Sequence, residues 1–136
     1  MTLTTILPVL AGILIAIFMV YTAYGDGINM KKRWIFPAVV SLLFLVFSLM
    51  AVISGGASGF WVEHTRNLWG NQIWFDLLLA AGIGWFLIVP QAKAQGMRLL
   101  PWGILIVCSG CIGFTAMLAR LLYLQERSGC CAPDKK

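Results

Sequence analysis

The sequence predicts an all-α fold: an integral membrane protein built as an antiparallel bundle of four transmembrane helices. Three observations carry this expectation. Hydrophobic residues make up 60% of the 136-residue chain and charged residues 11%, against about 45–50% and about 25% in soluble domains. The apolar residues gather in four runs, at 3–24, 35–54, 72–90 and 102–124, each near the roughly 20 residues that a bilayer core requires. Aromatic residues collect where those runs meet polar segments, as rings do at membrane interfaces. One membrane domain over 1–136 accounts for the length, with a polar tail at 125–136.

The first run is uncharged. Pro8 falls in its opening turns, where a missing backbone donor costs least. Residues 1–6 contain no Lys or Arg, so the positive region of a cleaved signal peptide is lacking, and the run is expected to remain as a helix. The turn at 25–34 holds Gly25, Asp26, Gly27 and Asn29, then Lys31, Lys32 and Arg33. Pro37 opens the second run, a position suited to proline. The connection at 55–71 is the longest. It carries the only histidine, His64, between Glu63 and Arg66, with Phe60, Trp61 and Trp69. That mixture suits a segment lying on the membrane surface, with a short interfacial helix in it. The third run contains Gly82 and Gly84. The connection at 91–101 supplies Lys93 and Arg98, and Tyr123 marks the exit of the fourth run.

Basic residues favour the cytoplasmic side of a membrane. With four crossings, Lys31, Lys32, Arg33, Lys93 and Arg98 share one face. That places both short turns in the cytoplasm, and both termini and the His64 loop outside. The expected location is the bacterial cytoplasmic (inner) membrane.

Asp76 stands near the start of the third run and Arg120 near the end of the fourth. An ionisable group within a span costs roughly 2.5–3.5 kcal/mol on insertion scales, so it is usually paired or functional. Antiparallel helices would bring both to one depth, and a structural ion pair is the leading expectation. The alternatives are a proton or anion site, and an arginine that reaches to water. Ser109, Gly113 and Ala116 lie on the Arg120 face, and Ala80 and Gly84 along the Asp76 ridge. Small residues let membrane helices approach closely, so these faces are expected to meet.

Cys108 and Cys111 are spaced as CxxC, but no second pair or histidine accompanies them. They are read as small apolar packing residues. Cys130 and Cys131 sit together in the tail, where a bridge outside the cell or lipidation inside it are both open. His64 and Trp85 are candidate ligand contacts. No catalytic constellation and no metal-ligand set is expected. Basic residues do not interleave with aromatics, which argues against nucleic acid as a partner.

Several stretches carry a resemblance. They are Asp76-Leu77-Leu78, Gln91-Ala92-Lys93-Ala94-Gln95-Gly96-Met97-Arg98, Pro101-Trp102, Gly110, Gly113 and Leu122-Tyr123-Leu124. This pattern resembles small bacterial four-helix membrane proteins of uncharacterised role. More distantly, it is similar to the plant abscisic-acid-deficiency family, implicated in neoxanthin formation. The resemblance implies a four-helix membrane fold and, through the distant family, carotenoid chemistry.

Two functions follow as expectations. The first is a non-catalytic accessory or structural subunit of a larger membrane complex, touching lipid, other membrane subunits, and pigment or quinone. The second is a membrane enzyme, or enzyme partner, acting on a carotenoid-like isoprenoid. No particular cofactor follows from the residues.

Overall fold

The computed structural model describes residues 3–24 and 33–130. The basic pair Lys31 and Lys32, the turn glycines before them, and Cys131 with the rest of the tail lie outside the described residues, as does the side chain of Cys130. Among the described residues the secondary structure is helical throughout. The helices are α1 Leu3–Tyr24, α2 Ile35–Gly55, α3 Gly59–Thr65, α4 Leu68–Ala94, α5 Leu99–Ser109 and α6 Cys111–Cys130. Two compact units divide them, Met1–Lys31 and Lys32–Lys136.

The first unit contributes α1, a 22-residue helix with Pro8 inside it and no acidic or basic residue in its terminal turns. Its length and apolar character agree with the run read from the sequence.

In the second unit, α2 and α4 are long and apolar enough to cross a membrane. Only 11% of the α2 window and 6% of the α4 window are buried. A core helix of a soluble protein would be mostly buried; the exposed apolar surface of these two helices is compatible with a membrane protein. The short helix expected in the 55–71 connection is α3. Asn67 ends the turn after it and caps α4: its backbone is extended, and its Oδ1 accepts from Gly70 N at 2.9 Å. Gly70 is required by the tight corner, because a Cβ there would strike the carbonyl oxygens of Glu63 and His64.

The end of α4 is a Schellman turn. Gly96 takes φ +69°, Gly96 N donates to Lys93 O at 2.9 Å, and Met97 N donates to Ala92 O at 3.0 Å. Arg98 is extended, and Pro101 sits in the first turn of α5, where proline is tolerated. The chain then runs back along α4, bringing Gly103 against Trp85.

The fourth predicted span differs from expectation. It is not one helix. Gly110 adopts φ 59° and ψ −126°, a conformation open essentially to glycine alone, and the chain reverses there. Gly113 then lies against the α5 backbone: a Cβ on it would be 2.9 Å from Ile106 N and 2.8 Å from Ser109 Oγ. Ser109 Oγ accepts from Gly113 N at 3.0 Å and donates to Leu105 O at 2.6 Å, tying the corner together.

Contacts along α6 give its direction. Phe114 meets Gly84, Gln125 Nε2 donates to Gln91 Oε1 at 3.3 Å, and Ser128 Oγ donates to Gln95 Oε1 at 3.2 Å. Thus α6 runs parallel to α4. Against α2 it runs antiparallel. Ser41 Oγ donates to Ile112 O at 3.0 Å, the Trp34 and Tyr123 rings meet edge to face at 5.6 Å, and Arg33 N donates to Glu126 Oε1 at 2.9 Å. The core sits among α4, α5 and α6, on Ile88, Ala92, Ile106, Met117 and Leu121.

The described end of α6 therefore lies beside the 95–98 turn, not beside α3. The expected placement of the C-terminal end with the His64 loop is corrected by this reversal. With 11 residues, α5 is about 16 Å long at 1.5 Å per residue, near half of a ~30 Å hydrocarbon layer.

Candidate functional site

The reversal at Gly110 leaves α5 as a short helix beside the lower part of α4. Between them lies an open groove of about 500 Å³. Trp85 forms one wall from α4. Leu99, Leu100, Gly103, Ile104, Val107 and Cys108 form the other from α5. Gly103 makes room for the indole, since a Cβ there would rest 3.4 Å from Trp85 Cη2. Val107 is 87% and Leu100 77% exposed, so the groove opens sideways. The only heteroatoms its side chains offer are the Trp85 indole nitrogen and the Cys108 thiol. The site suits retention of an apolar molecule by burial.

Trp85, a candidate from the sequence, is thus placed on the groove and also against the core. Cys108 lines the groove as well. Cys111 lies beyond the Gly110 reversal, and both thiols are free and exposed. The groove itself is not legible in the sequence, because it exists only once the chain turns back. The signal that could have found it is the Ser109-Gly110 pair inside an apolar run, a known place for helices to bend.

Polar groups gather at the end of the unit where α6 finishes. Lys93 is in the last turn of α4 and Arg98 immediately precedes α5; both are exposed. Arg120 and Arg127 lie over the Tyr123 ring, 5.6 and 5.8 Å from its centroid. Arg33, Leu122, Gln125 and Glu126 line a small polar recess of about 160 Å³.

The expected Asp76–Arg120 ion pair is not formed. Asp76 is exposed near the start of α4, where its Oδ1 accepts from Gln72 Nε2 at 3.2 Å. Arg120 sits one turn before Tyr123, near the opposite end of α4. The cause is the reversal at Gly110, which sends α6 parallel to α4 and separates the two charges. Among the described residues the one salt bridge is Arg66–Glu63, at 3.5 Å on the surface.

The small residues do not form the expected continuous seam. Gly84 does allow close approach, with Phe114 of α6 filling the space a Cβ would take. Gly113 and Ser109 instead close the α5–α6 corner. Ala80 is exposed and Ala116 half-buried.

His64 is held at the α3–α4 corner. Its Nδ1–H donates to Phe60 O, and its ring lies 5.2 Å from Trp74 and 6.4 Å from Phe60. It is remote in sequence from every groove residue, and the corner places it at the far end of α4. Among the described residues no group of three His, Cys, Asp or Glu comes together.

No family model, curated protein or solved structure matches the chain.

Proposed function

We propose that this chain is a non-catalytic accessory subunit of a bacterial inner-membrane complex, and that the α4–α5 groove retains an apolar molecule there. The observation that carries this reading is the groove at Trp85. It is lined by apolar groups, it opens sideways, and it lacks the convergent acid, base and nucleophile that catalysis requires. The bare apolar surfaces of α2 and α4 support a membrane setting and leave room for neighbouring subunits.

In this reading α1, α2 and α4 cross the bilayer, and α5–α6 form a re-entrant hairpin that enters and leaves by one face. Non-helical backbone at membrane depth needs its polar groups satisfied within the protein, and at the corner Gly110 N donates to Ile106 O while Gly113 N donates to Ser109 Oγ. Charge supports the same arrangement. Arg33, Lys93, Arg98 and Arg127 collect at one end of the second unit, while Arg66 stands at the other. Lys31 and Lys32 adjoin Arg33 in sequence. Positive charge marks the cytoplasmic face, so the hairpin opens to the cytoplasm and the His64 corner faces outside.

A second reading, an enzyme partner handling a carotenoid-like isoprenoid, draws on the same groove, which also suits an isoprenoid chain. Purification in mild detergent, followed by mass spectrometry and an absorption spectrum, tests the choice. Fixed partner subunits are the expected result. A lone, colourless monomer would contradict the subunit reading. Altered isoprenoid products in a Trp85→Ala host would favour the second.

A further inference from the structure

We propose that the groove between α4 and α5 is a lipid site, holding one acyl chain of an anionic phospholipid whose phosphate headgroup rests at Lys93 and Arg98. This inference rests on the membrane reading above and names the occupant of the same groove.

Depth is the first argument. The α5 wall extends from Leu99 to Cys108, about 14 Å along the helix axis at 1.5 Å per residue. One leaflet of a ~30 Å hydrocarbon layer has about that depth. The groove thus begins at the interface end of α5 and stops near the bilayer midplane, as a single acyl chain does. A molecule that spans the membrane would outrun it.

Charge is the second. Arg98 directly precedes the first groove residue, Leu99. Lys93 is in the last turn of α4, just across the Gly96 turn. Both are exposed, and neither forms a salt bridge among the described residues. No Asp or Glu lies between Asp76 and Glu126 in the sequence, so neither helix wall nor the turn joining them contributes a competing carboxylate. A basic mouth on an apolar slot matches an anionic lipid, in which charge and chain are joined. It does not match a neutral lipid or a neutral hydrocarbon equally well.

Access is the third. The groove opens sideways along Leu100, Ile104 and Val107. A chain can enter from the leaflet without leaving the bilayer, so its headgroup keeps its water.

The test uses the full chain in phosphatidylcholine vesicles with increasing fractions of a lipid brominated on its acyl chains. The brominated lipid is either phosphatidylglycerol or phosphatidylcholine. Bromine quenches nearby tryptophan. The expected result is half-quenching of the Trp85-dependent emission, measured as wild type minus Trp85→Phe, at a roughly tenfold lower fraction of the anionic lipid. The Lys93→Gln/Arg98→Gln double variant changes only exposed side chains, and it should erase that difference. Equal curves for the two lipids would overturn the proposal and leave the membrane reading intact. So would a preference that survives Trp85→Phe or the double variant. Emission quenched by neither lipid would remove the membrane reading itself, and the lipid site with it.

Discussion

The two halves of α4 are comparably apolar and have different surroundings. From Gly84 onwards one face of the helix is packed, while Phe86 and Leu87 on the other stay exposed. Phe114 covers Gly84, and Ile88 and Ala92 are buried at 5% and 0% exposure. Between the α3 corner at Gly70 and Gly84, no residue of the helix is buried. Ile73, Leu79 and Ile83 are each about 60% exposed, and Gly82 has nothing within 4 Å of the position a Cβ would take. Hydropathy does not distinguish these halves, because an apolar residue satisfies either a protein neighbour or a lipid. The boundary between them is set by another element, the tip of the α5–α6 hairpin. The depth at which a neighbouring chain reverses thus decides which part of a long apolar helix becomes core.

Moving or destroying that tip should erase the difference between the halves. Gly113→Leu should have the largest effect. It forces side-chain atoms into the α5 backbone at Leu105 and Ile106, and overpacking of this kind costs about 1–3 kcal/mol and occasionally more. Thermal unfolding in detergent should show a large loss, with Phe114 released from Gly84. Gly110→Ala is cleaner and smaller. Nothing lies within 4 Å of its Cβ position, so the change isolates backbone strain, about 1–3 kcal/mol. An unchanged melting temperature in Gly110→Ala would mean that the chain does not reverse there.

Weaker effects are expected away from the tip. Ser41→Ala removes the hydrogen bond to Ile112 O that joins α2 to the base of α6. A loss of about 0.5–1.5 kcal/mol is expected. The smallest effect concerns the charges. Asp76 and Arg120 lie toward opposite ends of α4, so Asp76→Asn and Arg120→Gln should be additive within about 0.3–0.5 kcal/mol. A larger coupling in the double-mutant cycle would restore the ion pair expected from the sequence.

Much of the fold was legible from hydropathy. The bounds of α1 and α2 follow the apolar runs almost residue for residue, and the short α3 was foreseen from its aromatic surface composition. The reversal at Gly110 was not legible, because 102–124 reads as one apolar stretch of span length. Glycine within a membrane helix is common, so Gly113 reads as a surface for packing, and Gly110 does not stand out as a corner. The other differences from expectation share this one cause. A single fourth helix would place Arg120 level with Asp76, align the small residues in a seam, and carry the tail to the His64 side. Trp85, a candidate ligand contact in the sequence, reaches the groove because Gly103 of α5 lies against its indole. Lys93 and Arg98 were read for orientation alone, since their closeness to the groove depends on α5 running back beside α4.

The most direct test of the hairpin is a cross-link between Gln95→Cys and Ser128→Cys in a chain whose native cysteines are replaced. The wild-type side chains are joined at 3.2 Å. The re-entrant arrangement predicts efficient disulfide formation under mild oxidation in membranes, with both sites labelled by an impermeant maleimide from the same face. A fourth crossing helix would hold them about 30 Å apart on opposite faces. Failure to cross-link, with labelling from opposite sides, would contradict the re-entrant arrangement.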